Sequence, residues 1–97
     1  MKDLGAKHDS GKLNWSLLPL AILEPVIKVL MFGAEKYAPD GWKTVPDAEQ
    51  RYFSAMMRHI AAYQSGEAID PESGLPHIAH ICCNAIFLLH FYIEKNK

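Results

Sequence analysis

An all-α fold, a small helical bundle of three main helices, is predicted by three features of this 97-residue chain. Apolar residues recur at helical spacing, as in Phe53, Met56, Met57, Ile60 and Tyr63. No alternating run bounded by hairpin turns suggests a strand, and no segment repeats. Prolines and glycines mark the ends of the patterned segments. The whole chain reads as one domain, residues 1–97. The residues are 49% apolar and only 22% charged, rich for a chain whose size allows modest burial. Pairing with copies of itself would hide that surface, so a homo-oligomer that completes a four-helix-type bundle is expected.

Residues 1–16, with Gly5, Gly11 and alternating charges, read as an irregular arm. Pro19 suits the start of a short helical piece, and Pro25 the first turn of a longer one reaching about Tyr37. Gly33 lies inside that helix, as a cost of about 1 kcal/mol or as a point of close approach. The stretch A-P-D-G-W-K-T-V-P is a loop. Asp47 and Gln50 form a capping-box pattern before a helix over 48–65, which Gly66 ends. Ser73 is the expected cap of a last helix over 75–94.

Several classes are set aside. Ten basic and eleven acidic side chains leave a formal charge of −1, with no general footprint for a nucleic-acid polymer. The N-terminus lacks an apolar signal region, and Leu17–Phe32 is interrupted by Pro19, Glu24, Pro25 and Lys28. No membrane association and a cytoplasmic location are therefore expected. Cys82 and Cys83 are neighbours on a helix, about 100° apart, and read as buried reduced thiols.

Chemistry concentrates between Arg58 and Asn84. His77, His80 and Asn84 follow a 3-then-4 spacing, a polar stripe on an otherwise apolar helix. Burying such groups unpaired costs about 1–3 kcal/mol each, so they need partners. His59 on the preceding helix and Glu67, Asp70 and Glu72 in the turn are the candidates. With antiparallel helices, the three imidazoles fall at similar heights, about 10 Å or less from the turn. A hard ion such as Mg²⁺ would take Glu67, Asp70 and Glu72, leaving the histidines for phosphate binding or proton transfer. A transition ion on the histidines is the lesser expectation, and satisfied core histidines the bland one. Two further groups suit a nucleotide: Lys7 and Lys12 around Gly11, and the aromatic faces of Tyr37 and Trp42 near Lys36. The arm is not a Walker sequence, because its spacing is one residue too long and Leu13 follows Lys12.

The blocks G-A-K-H-D-S-G-K-L-N-W-S-L-L-P, F-G-A-E-K-Y-A-P-D-G-W and R-H-I-A-A-Y-Q-S-G-E-A-I-D-P-E-S-G-L-P-H-I-A-H occur in that order. Together they resemble the N-terminal domain family of dATP/dGTP diphosphohydrolases, found mostly in phages and prophages. The resemblance implies nucleotide handling. It marks Lys7, Asp9, Lys12, Trp15, Lys36, Tyr37, Trp42, Arg58, His59, Glu67, Asp70, Glu72, His77 and His80 as site residues. Two-domain members carry a MazG-like pyrophosphohydrolase domain after this unit, whose metal site uses an E-x-x-E pair; no E-x-x-E occurs in these 97 residues. Three functions follow as expectations. One is a Mg²⁺-dependent pyrophosphohydrolase acting on purine deoxynucleoside triphosphates. There Lys7, Lys12 and Arg58 would neutralise charge and His59 or His77 would handle the proton. Another is a non-catalytic sponge that sequesters a cyclic nucleotide immune signal and so counters host anti-phage defence. The third is an assembly module knitted by the histidine stripe.

Overall fold

The computed structural model describes residues 10–97, so Lys7 and Asp9 lie outside the described residues. Three α-helices carry the fold: α1, Glu24–Lys36; α2, Ala48–Gln64; and α3, His77–Lys95. Short 3₁₀ segments occupy Trp15–Leu17, Leu20–Leu23 and Gly41–Thr44, and no strand occurs among the described residues. The all-helical expectation holds, and the helix limits fall within about two residues of those expected. Pro19 precedes the second 3₁₀ segment and Pro25 occupies the first turn of α1, where a missing N–H costs nothing.

Two capping expectations need correction. Asp47 does precede α2, but with φ 54° and ψ 40° its backbone is left-handed and its side chain makes no cap hydrogen bond. Ser73 does not cap α3; Pro76 is the flanking residue, and the Ser73 hydroxyl is used within the turn. The end of α2 follows its expectation closely. Gly66 adopts φ 106°, which only glycine accommodates readily. The Glu67 N–H bonds the Ala62 carbonyl at 3.0 Å, and the Gly66 N–H bonds that of Tyr63 at 3.1 Å. That is a Schellman closure, and it sets where the turn leaves the helix.

Helices α2 and α3 pack as an antiparallel pair, tied at their far end by Lys95–Glu49 at 3.0 Å. Helix α1 packs on α3 as well but scarcely on α2, so the bundle is open between α1 and α2. Val26 and Val29 of α1 meet Ala79 and Cys83 of α3, with Leu23, Leu30, Leu75 and Phe87 at the margin. Beyond this core Trp42 stacks on Phe87 at 4.2 Å and meets His90 edge-on at 4.9 Å. The Tyr52 hydroxyl donates to the Trp42 carbonyl at 2.7 Å. Trp42 thereby fastens the connection between α1 and α2 to α3.

Among the described residues no large side chain is fully buried. The radius of gyration is 16.7 Å, against about 13 Å for a compact domain of some 100 residues. Along the outer face of α3, Ile78, Cys82, Ala85, Leu89, Tyr92 and Ile93 are exposed, as is Ile86 at the border of the cleft. Only Cys83 of the two cysteines is buried, correcting the expectation for Cys82; burial pushes the Cys83 thiol up to about 12. By length and composition α3 is long and apolar enough to cross a membrane, yet its inner face buries His77, His80 and Asn84.

Apart from its chain neighbours and the backbone of its own helix, no described atom comes within 4 Å of where a Cβ at Gly33 would stand, and its φ is not positive. The close approach allowed for at that position is absent among the described residues. Gly33→Ala is therefore expected to stabilise the chain by about 0.5–1 kcal/mol, raising Tm by several degrees. Thermal unfolding followed by circular dichroism checks it, and a lowered Tm would contradict it.

Candidate functional site

The polar stripe of α3 faces inward. His77 is 3% exposed, His80 8% and Asn84 7%. Their neighbours on that face are Ala79 and Cys83, so these groups depend on specific partners. Antiparallel packing brings His59 of α2 to them, as the helical rise predicted. His59 Nδ1 lies 2.8 Å from His77 Nδ1, and its ring stacks on His80 at 4.3 Å and 7°. Asn84 is satisfied through its amide, which donates to the His80 carbonyl at 2.9 Å.

The turn supplies the rest. The Schellman closure delivers Glu67 to His77, with Oε1 2.7 Å from Nε2. A carboxylate only accepts, so His77 Nε2–H donates and leaves the Nδ1 lone pair for His59 Nδ1–H. Asp70 Oδ2 accepts from the Ser73 N–H at 3.0 Å and from its hydroxyl at 2.7 Å. The same hydroxyl oxygen meets His80 Nε2 at 2.7 Å and accepts from the Leu75 N–H at 3.2 Å. Because the hydroxyl proton goes to Asp70, His80 must donate through Nε2. Ser73 thus joins an imidazole to a carboxylate, a role that helical periodicity could not reveal because Gly74, at φ 72°, reverses the chain between them.

The three carboxylates expected around Mg²⁺ each have a different partner. Glu67 engages His77, Asp70 engages Ser73 and His80, and Glu72 pairs with Lys36 at 2.9 Å. As they stand they do not form the oxygen cage that Mg²⁺ requires. The ligand atoms that do gather, all within 4.8 Å of one another, belong to His59, Asp70 and His77.

A cleft of about 800 Å³ fills the opening between α1 and α2, within the roughly 300–1,000 Å³ usual for small-molecule sites. Lys36 and Tyr37 line its α1 wall; Arg51, Tyr52, Arg58 and His59 line its α2 wall. His80, Asn84 and Phe87 form the floor, while Trp42 closes one end and Asp70 and Glu72 the other. The structure thus gathers Lys36, Tyr37, Trp42, Arg58, His59, Asp70, Glu72 and His80 around one space. Glu67 and His77 stand behind it. Trp15 borders a separate shallow apolar depression with Leu13, Leu17 and Leu18, and Lys12 does not line the cleft. Trp42 already spends one ring face on Phe87, whereas Tyr37 is 74% exposed. Arg51 and Tyr52 were missed in the sequence reading. The available signal was that Arg51 precedes Arg58 by seven residues, two helical turns along the same stripe.

Burial lowers the pKa of His59, and the neighbouring His80 adds to that. Burial likewise lowers His80, against the opposing pull of Asp70. Burial would raise Asp70, but the Ser73 hydrogen bonds and the imidazoles outweigh it and hold the carboxyl below its usual range. The folded chain therefore favours neutral His59 and His80. Below the ordinary histidine pKa of about 6.5 the unfolded chain binds more protons, so this stability is complete above that value and lost as pH falls through the lower folded values. The Asp70 contribution is lost only under more acid conditions. Urea midpoints of the chelator-treated protein are expected to fall on acidification through this window, and less steeply in His80→Leu. An unchanged midpoint would mean that the folded imidazoles keep ordinary pKa values.

The family described as dATP/dGTP diphosphohydrolase, N-terminal, matches residues 2–97. A dATP/dGTP diphosphohydrolase of Salmonella phage PMBT28 is 31% identical over 93 residues, covering 96% of this chain and 31% of the phage protein. The chain thus spans about a third of that relative's length. No solved structure matches. The match to nearly every residue shows that the chain belongs to the dATP/dGTP diphosphohydrolase N-terminal family.

Proposed function

We propose that this chain is a phage-type nucleotide-binding domain whose cleft takes a purine deoxynucleoside triphosphate, the substrate class named for its relative. One observation carries the reading: Lys36, Arg51 and Arg58 line the same space as the open aromatic face of Tyr37 and the imidazoles of His59 and His80. Arginine forks match phosphate oxygens and exposed rings stack on bases, so each half of a nucleotide has a complementary wall. The Lys36–Glu72 pair is exposed and worth little to stability, so it yields readily to an incoming phosphate. In the hydrolytic form of this reading the ligand loses pyrophosphate at the turn end of the cleft, beside His59 and Asp70. A capture reading, in which a nucleotide or cyclic nucleotide is held intact, is favoured by the separate partners of Glu67, Asp70 and Glu72.

Self-association is part of the proposal. The seam Ile78, Cys82, Ala85, Leu89 and Tyr92 repeats at 4-3-4-3 spacing, flanked by Ile86 and Ile93, with no charge along it. This is the apolar repeat by which helices pair, and the chain's own core is too small to cover it. The partner is a second copy, whose identical seam is self-complementary.

Two outcomes are expected. Incubation with dATP or dGTP, with and without added metal ion, followed by denaturation and chromatography, should show nucleotide bound by the chain. Monophosphate plus pyrophosphate identifies hydrolysis, unaltered nucleotide identifies capture, and no depletion removes the nucleotide reading. Arg58→Ala should weaken binding by about 10–100-fold, the scale of one hydrogen bond to a charged group. Leu89→Lys should convert the oligomer to monomer by light scattering; an unaltered mass would exclude the α3 seam as the interface.

A further inference from the structure

The cluster behind the cleft has more ligand character than a nucleotide site needs. We propose that His59 Nδ1, His77 Nδ1 and one oxygen of Asp70 form a site for a nitrogen-preferring divalent transition ion such as Zn²⁺ or Co²⁺, with a coordination position open to the cleft. The case rests on the imidazole geometry and is independent of the nucleotide reading. These residues' ligand atoms lie within 4.8 Å of one another. The two Nδ1 atoms are 2.8 Å apart. Nitrogens on a tetrahedral ion with bonds of about 2.0–2.1 Å stand about 3.3 Å apart, so a small separation of the rings turns a shared proton into a shared ion.

The surroundings are arranged as ligating histidines require. Glu67 accepts from His77 Nε2 at 2.7 Å, which fixes the tautomer that presents Nδ1. A carboxylate on the far nitrogen is the usual outer partner of a metal-bound imidazole, raising its basicity and holding its plane. His80 stacks flat on His59 and is itself anchored through Ser73. Asp70 is held by Ser73 through Oδ2, and no described residue bonds its Oδ1. Two imidazoles and one carboxylate select later first-row ions over Mg²⁺, which prefers oxygen ligands and retains water. With three protein ligands, the fourth position remains for water or for a ligand oxygen, as at catalytic rather than structural zinc sites. His59 and Asp70 line the cleft, so that position faces its contents.

The test is titration of metal-free protein with Co²⁺, followed by its visible absorption. One equivalent should develop a band of four- or five-coordinate character, removed by Zn²⁺ and untouched by excess Mg²⁺. His59→Ala and Asp70→Asn, each folded by circular dichroism, should lose the band, while His90→Ala keeps it. Glu67→Gln should keep the band but weaken Co²⁺ binding by about 10–100-fold. In the unaltered protein, Co²⁺ should shift the ring protons of His59 and His77 and leave those of His90 in place, which reads the ligands without substitution. The proposal is overturned by a folded wild-type protein with no band. It is equally overturned by a band that survives both His59→Ala and Asp70→Asn, by displacement with Mg²⁺, by unchanged affinity in Glu67→Gln, or by unshifted His59 and His77 signals.

Discussion

Satisfying buried imidazoles is the constraint on which the rest of this structure depends. His77 and His80 lie on the face of α3 that α1 and α2 cover, beside Ala79 and Cys83. An apolar stripe would tolerate many registers between α2 and α3, but an imidazole needs a partner at hydrogen-bond distance and so tolerates few. His59 fixes the register of α2. Glu67 fixes where the chain must emerge from α2, and Gly66 makes that exit sterically possible. Asp70 and Ser73 then close the turn over His80. The segment over 65–76 is therefore ordered by its polar bonds more than by apolar contact, since Ile69 remains half exposed at 49%.

A second consequence concerns what the chain leaves unfilled. Because α1 and α2 each pack on α3 and scarcely on each other, a four-helix arrangement would put another helix in the space the cleft occupies. The opening exposes Lys36, Arg51, Tyr37 and Arg58, charged and aromatic groups that a core-filling helix would have to desolvate. Part of the exposed apolar surface lies on the outer face of α3 instead. The cleft and most of the seam use different sides of α3, and Ile86 borders both. Any ligand that bridges α1 and α2 would add contacts that the isolated chain lacks and so stabilise it by mass action.

How much of this was legible in the sequence follows from the range of each interaction. Helix limits were legible because proline and glycine act locally, as Pro25 and Gly66 do. The meeting of His59, His77 and His80 was legible because helical periodicity extends across a short turn. The Asp47 backbone was not, since the local pattern of Asp47 and Gln50 favours a capping box and tertiary placement of the preceding loop overrides it. Nor were the separate engagements of Glu67, Asp70 and Glu72: residues close in sequence suggest one shared ion, but the turn's hydrogen bonds direct each carboxylate elsewhere. The stacking of Trp42 on Phe87 links residues distant in sequence, and no local signal encodes it. Cys82 and Cys83 differ because neighbouring helical positions face different directions, a distinction that treating both as buried had overlooked.

The same engagements resolve a conflict between an acidic turn and a phosphate ligand. Free carboxylates at the mouth of a cleft would repel a triphosphate. Here Glu67 is opposed by an imidazole N–H, Asp70 by the backbone N–H and hydroxyl of Ser73, and Glu72 by the Lys36 ammonium. Each negative charge is answered by a donor before any ligand arrives, while Arg51 and Arg58 remain along the α2 wall. An ion between His59 and His77 would complete that neutralisation, adding two positive charges beside His59, whose burial disfavours its protonated form. It would also replace the proton shared between two Nδ1 atoms, so metal binding and proton release would be a single event at this cluster. A neutral His59 and a bound phosphate would then be compatible, because the positive charge would reside on the ion rather than on the ring.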